Sequence, residues 1–264
     1  MPRFLLAGVI LALLSPLTFA FELSGTPQEQ GLAIAKESER RNTGWQDSQA
    51  TMKMILRNQA GDSSERDIGI QSLEIDNDGD KSLTIFRSPK DVKGTAFLSF
   101  SHATVPDEQW LYLPALKRVK RIASKNKSGP FMGSEFAFED LSSFEVDKYR
   151  YRYLGKETIN GMEAYQSELV PAYEYSGYSK MISWMDTQEF RIQKIEYYDR
   201  KGDLLKTQTF HDYQQYLDQY WRAHRMLMEN HQVGKSTELL WSDFTFRQGL
   251  TDGDFNQNSL KRAR

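Results

Sequence analysis

Residues 148–158 alternate without a break: Tyr149, Tyr151 and Tyr153 share one side of an extended chain, and Lys148, Arg150 and Arg152 share the other. Period-two alternation of this kind belongs to a strand with one covered face and one wet face. Asn160-Gly161 follows, and both residues accept the positive φ that a two-residue hairpin turn requires. The pattern recurs along the chain. It predicts strands at 48–58, 64–76, 81–87, 95–102, 109–114, 117–123, 148–158, 162–171, 179–187, 190–199, 203–215, 221–231 and 236–247. In the first of these Met52, Met54 and Leu56 lie on one face and Thr51, Lys53 and Arg57 on the other. In 64–76 the apolar phase slips between Ile68/Ile70 and Leu73/Ile75, which reads as a bulge near Gln71. Gly61-Asp62, Asn77-Asp78-Gly79 and Arg200-Lys201-Gly202-Asp203 supply further turns.

Two helices complete the reading. One is expected at 27–42, capped by Thr26, with Pro27 in its first turn and Gly44 beyond its end. A second is expected from about 255 to 262. No linker divides the chain, so residues 21–264 are expected to form one mostly β (α+β) domain. Strands of ten or more residues span over about 30 Å, and a sheet of this many strands curls. The expected solution is a curled, half-open antiparallel β-barrel with helices against its concave face.

The first twenty residues have the layout of an export signal. Arg3 supplies the positive start. Phe4 to Leu14 is apolar but shorter than the roughly 20 residues a bilayer requires, and Thr18-Phe19-Ala20 offers small residues for cleavage after Ala20. An uncleaved anchor is the competing reading. Export places the remainder outside the cytoplasm, in a bacterium the periplasm. The chain has no cysteine, which excludes disulfides, thiolate metal sites, cysteine nucleophiles and a lipidated cysteine. A net charge of −2 argues against nucleic acid as a partner.

The motifs that usually carry chemistry do not assemble. Asp76-Asn77-Asp78-Gly79-Asp80 fails as a calcium loop, because its sixth position is Lys81 and its twelfth Arg87, where glycine and glutamate are needed. His102, His211, His224 and His231 form no ligand spacing, and the last two fall on opposite faces of one predicted strand. Glu139 and Asp140 are adjacent, so they diverge instead of flanking one bond. Ser134 lacks the glycine-framed elbow of a hydrolase. These readings imply no catalytic residue, no cofactor and no metal.

The segment 110–144 stands apart. Trp110 and Tyr112 lie in an aromatic strand. The basic run Lys117, Arg118, Lys120, Arg121, Lys125 and Lys127 comes next, followed by Phe131, Met132, Phe136 and Phe138 around Gly129-Pro130 and Gly133. The basic run has two readings: a solvated edge strand protected by lysine, or a patch for anionic headgroups or an acidic membrane partner. The aromatic loop also has two: a plug closing one end of the core, or an apolar gate over a ligand cavity. Methionines repack around varied shapes, so Met52, Met54, Met181 and Met185 are candidates for lining the same cavity.

WLYLPALKRVKRI followed by SGPFMGSEFAFEDL resembles the LolA-like outer-membrane lipoprotein-sorting family, in the branch associated with RND/MMPL-type exporters. SPKDVKGTAFL at 88–98 and YRYLGKETINGMEAYQSELVP at 151–171 are similar to the same branch. The resemblance implies an antiparallel half-barrel of about eleven strands, plugged on its concave face by helices and carrying an acyl chain or lipid through the periplasm. On that reading Met52, Met54, Leu56, Trp110, Tyr112, Phe131, Met132, Phe136 and Phe138 line the cavity. Lys117, Arg118, Lys120 and Arg121 meet headgroups or the exporter. The rival readings are a solidly packed periplasmic adaptor of such an exporter, and an envelope hydrolase built around Ser134.

Overall fold

The computed structural model describes residues 21–262; the expected export signal lies outside the described residues. Helix α1 (Pro27–Arg41) starts where Thr26 and Glu29 satisfy each other. The Thr26 hydroxyl accepts from the Glu29 amide at 3.3 Å, and the Glu29 carboxylate accepts from the Thr26 amide at 2.8 Å. Thirteen strands follow: β1 (Asp47–Arg57), β2 (Ser63–Leu73), β3 (Lys81–Ser88), β4 (Ala96–Phe100), β5 (Glu108–Leu113), β6 (Arg118–Arg121), β7 (Tyr149–Ile159), β8 (Met162–Pro171), β9 (Tyr178–Asp186), β10 (Ile192–Asp199), β11 (Leu204–Tyr216), β12 (Tyr220–Asn230) and β13 (Lys235–Phe246). Helix α2 (Gln257–Arg262) ends the described chain.

All thirteen strands join one antiparallel sheet in the order β6-β5-β4-β3-β2-β1-β13-β12-β11-β10-β9-β8-β7. Two meanders, β1–β6 and β7–β13, meet where β1 pairs with β13, Ser48 opposite Phe246 and Arg57 opposite Ser236. The sheet does not close, because β6 and β7 remain at its two edges. It curls, because one apolar cluster gathers side chains from both flanks: Phe86, Phe97 and Leu111 from one, Tyr151, Leu169 and Tyr197 from the other. Only the inside of a curled sheet can bring such distant strands together. Residues 122–148 link the two edge strands and send Ile122, Phe131, Phe136 and Val146 into that interior.

Both helices form, but only α1 lies against the concave face, with Ala35 in the interior cluster and Ile34 beside Tyr165, Met185 and Phe190. Helix α2 sits on the opposite face, where Leu260 and Phe255 cover Leu83, Leu98 and Trp110. This explains the phase slip in β2. Ile68 and Ile70 face the interior and Leu73 faces the α2 cluster, so no bulge is needed at Gln71. The irregular step in that strand falls at Asp67/Ile68 instead. The sequence pattern therefore recorded a change of covered face within one regular strand.

Candidate functional site

The interior is filled by a separate piece of chain. Between residues 127 and 143 the backbone makes a compact hairpin-like plug. Pro130 bridges Ala137, and the Phe131 amide donates to the Phe136 carbonyl at 2.7 Å. At its tip Met132 (φ 51°) and Gly133 (φ 80°) adopt left-handed conformations. The Phe131 ring lies 5.2 Å from Phe97, 5.9 Å from Phe86 and 5.5 Å from Phe138 between centroids. Phe131 and Phe136 are almost wholly buried, beside Met54 and Met52 of β1.

Polar contacts hold the plug on both flanks. Asp140 and Lys206 of β11 form an ion pair at 2.6 Å, with both side chains only 4% exposed. Lys206 also donates to the Glu135 carbonyl at 2.9 Å and lies over the rings of Tyr178 and Tyr197. Asp140 further accepts from the Tyr178 hydroxyl and the Ala137 amide, each at 2.7 Å. Glu139 accepts from the Gly177 amide at 2.8 Å, the Ser176 hydroxyl at 2.9 Å and the Tyr173 hydroxyl at 3.0 Å. A Cβ at Gly177 would stand 2.8 Å from the Glu139 oxygen and 2.9 Å from the Ser128 Cβ, so glycine lets the three groups approach without displacement. Burial, followed by the charge of Asp140, holds the Glu139 carboxyl above its ordinary range.

On the other flank the Arg66 guanidinium of β2 donates to the Met132 carbonyl at 2.6 Å. Loss of water around Arg66 lowers its proton affinity. Gln109 of β5 donates to the Phe138 carbonyl at 2.9 Å, and Thr237 of β13 accepts from the Glu135 amide at 2.9 Å. At the far end of the plug Asp107 accepts from Lys148 at 2.6 Å and from the Ser142 hydroxyl at 2.8 Å.

The expected lining residues divide between two places. Met52, Met54, Leu56, Phe131, Met132, Phe136 and Phe138 come together in or against the interior cluster. Trp110 and Tyr112 do not join them: they flank the inward-pointing Leu111 and therefore face outward, beneath α2. Met181 belongs to the interior, and Met185 lies under α1. Two hollows among the described residues are polar and are not apolar interiors. One, of about 260 Å³, lies at the mouth beside Gly133, Glu135, Arg57 and Lys235; the other, of about 180 Å³, lies between Thr51, Gly69, Arg87 and Asp243.

In the basic run Lys117, Arg118 and Lys120 are exposed, and Arg121 is exposed but paired with Glu108 at 2.6 Å. Lys127 leaves the surface: it is buried, and its ammonium donates to the Asp107 carbonyl at 2.5 Å. Its proton affinity is lowered, chiefly by burial. The Ser134 hydroxyl donates to the Phe131 carbonyl at 2.7 Å and accepts from the Phe136 amide at 3.3 Å, so it shapes the plug. His102 binds Asp78 at 2.8 Å, and among the described residues no three His, Cys, Asp or Glu side chains group as a metal site.

Sequence reasoning missed Arg66, Gln109, Glu139, Asp140 and Lys206 as plug anchors. Two signals were available: a lysine directly after Leu204 and Leu205 in β11, and an acidic pair inside an aromatic loop. Both imply buried charge in need of a partner.

The curled, unclosed antiparallel sheet has the fold of the LolA superfamily. A LolA superfamily protein from Nitrosomonas europaea has it, at 21% identity and a TM-score of 0.69 over 89% of this chain and all of that one. The crystal structure of a putative outer membrane lipoprotein-sorting protein domain from Vibrio parahaemolyticus matches at 59% identity and a TM-score of 0.88, again over 89% of this chain and all of that one. A DUF1329 family protein from Desulfovibrio piger matches at 28% and 0.85 over the same shares. A family model described as an uncharacterized protein matches residues 78–262, and no curated protein matches. The chain belongs to the family of the Vibrio sorting-protein domain.

Proposed function

We propose that this protein is a periplasmic carrier that takes an acyl chain of a lipid or lipoprotein into the hollow of its sheet on the way to the outer membrane. Export would depend on residues 1–20, with cleavage after Ala20. The observation that carries the reading is the source of the interior filling. The concave face is covered by a segment that is not part of the sheet, bears Phe131, Met132, Phe136 and Phe138, and is tethered by discrete polar contacts. Withdrawing that segment would expose Met52, Met54 and Leu56 beside it. Apolar burial at about 25 cal/mol per Å² makes an acyl chain a favourable replacement for four such side chains. The similarity to the Vibrio protein, described as an outer membrane lipoprotein-sorting domain, supports this choice of cargo. No step in the proposal needs catalysis or a cofactor.

The test is extraction of the purified protein with organic solvent and native mass spectrometry, followed by titration with a fluorescent fatty acid. Bound lipid, or saturable binding lost on filling the interior further, is the expected result. Repeated extraction without lipid, together with no fatty-acid binding, would sink the proposal. A second reading has one observation in its favour: the interior is already packed by the plug. On it, the protein is a non-binding adaptor of an RND/MMPL-type exporter that uses Lys117, Arg118, Lys120 and Arg121. Charge reversal at those four would then abolish complex formation while no lipid is ever bound.

A further inference from the structure

Strict antiparallel order sends alternate connections to opposite ends of the sheet, and one corner of one end is cationic, while the rest of that end carries Asp62, Glu174, Asp199 and Asp203. At the other end lie the turns after β2, β4 and β11, where Glu74, Asp76 and Asp218 are acidic, while burial favours the protonated form of Asp80 and Asp107 is paired with Lys148. At the first end lie the turns after β1, β3, β5, β8, β10 and β12, together with the plug tip at Met132 and Gly133. There the turns after β3 and β5 form one corner: a Cβ on Gly94 would meet Pro114 at 3.7 Å. That corner exposes Lys90, Lys93, Lys117 and Arg118 against the single acid Asp91. Across the mouth, Arg200 ties the β8–β9 and β10–β11 turns together by donating to the Ser176 and Tyr175 carbonyls at 2.9 and 3.2 Å.

The same end presents apolar side chains at the tips of its turns. Leu116 is 62% exposed, Tyr175 50%, Val233 46% and Leu204 36%. A single exposed apolar residue is ordinary. Four occur on the turns of one end, and one of them, Leu116, lies within the cationic corner. The exposed apolar residues of the opposite end, Val105 and Leu217, lack cationic company of this kind.

We propose that the end bearing Leu116, Tyr175, Leu204 and Val233 docks on an anionic lipid bilayer, its apolar tips entering the interface and Lys90, Lys93, Lys117 and Arg118 meeting the phosphates. Docked in this way, the plug tip and the hollow beside Gly133 face the lipid. The inference does not require that the protein carry cargo.

The test is co-sedimentation of the chain from Phe21 onward with vesicles of phosphatidylcholine alone and of phosphatidylcholine mixed with phosphatidylglycerol. Binding to the mixed vesicles, weakened by salt, is expected. K117A/R118A lowers the partition coefficient about thirtyfold, from the contribution of two cations at an anionic surface. Leu116→Ser lowers it while preserving the lipid preference, and Val105→Ser at the opposite end leaves it unchanged. All are exposed positions, Arg118 at the start of edge strand β6 and the others in turns, and unchanged thermal unfolding verifies that each variant folds. No binding to anionic vesicles at low salt, equal binding to neutral vesicles, or equal loss with Val105→Ser overturns the proposal. Lipid extraction reads cargo separately, so a variant that keeps its co-purifying lipid but loses the vesicles distinguishes docking from carriage.

Discussion

Replacing Asp140 by Asn tests the plug at its most buried point. The structure gives Asp140 three partners: the Lys206 ammonium at 2.6 Å, the Tyr178 hydroxyl at 2.7 Å and the Ala137 amide at 2.7 Å. Asparagine keeps an acceptor for one of them and loses the charge. Lys206, only 4% exposed, then retains the Glu135 carbonyl and the faces of two tyrosines but no anion. Breaking a buried pair from one side costs about 3–5 kcal/mol, because the remaining charge stays out of water. Urea unfolding should therefore show a loss of about 3 kcal/mol or more. If the plug detaches before the sheet unfolds, amide exchange across 128–143 should accelerate while the β1, β12 and β13 amides stay protected. The control is Asp140→Leu combined with Lys206→Met, which removes both charges and should recover most of the stability. A loss below about 1 kcal/mol with unchanged exchange in 128–143 would refute the argument that this pair anchors the plug.

Other consequences follow from the same geometry. Phe131→Ala empties the centre of the aromatic packing and should cost about 3–5 kcal/mol in denaturant unfolding, while raising fatty-acid uptake if the carrier reading is right. Trp110→Ala should destabilise by a similar amount yet leave fatty-acid binding unchanged, because Trp110 faces α2 on the outer side; reduced binding in a folded variant would contradict that placement. Burial, followed by the nearby charge of Glu145, pushes the Asp80 carboxyl up to about 7 from an ordinary 3.8. A raised acid is more protonated in the folded state, so its contribution is fully present below about pH 4 and is lost as pH rises through 7. Asp80→Asn should therefore be more stable than the parent above pH 7, with the difference shrinking towards pH 4; equal stability at both pH values would be the contrary result.

The strands were legible because each signals its covered face locally. Tyr149, Tyr151 and Tyr153 against Lys148, Arg150 and Arg152, closed by Asn160-Gly161, fix a strand and its turn whatever lies elsewhere. Thirteen such segments, and Thr26 and Glu29 at the head of α1, are also enough to demand a curled sheet. What covers a given face is a different matter, since period two says only that the two faces differ. Trp110 and Leu111 are neighbours of similar apolar character, and the C-terminal chain, through Phe255 and Leu260, decides that the first packs outside and the second inside. The anchors of the plug were illegible for the same reason. Lys206 and Asp140 stand 66 positions apart, and Arg66 the same distance from Met132, so only closure of the sheet brings them together. Sequence determined that this chain forms a long antiparallel meander with an aromatic segment in its middle. Tertiary structure decided that the segment enters the hollow, because the two unpaired edge strands it joins lie on either side of that hollow.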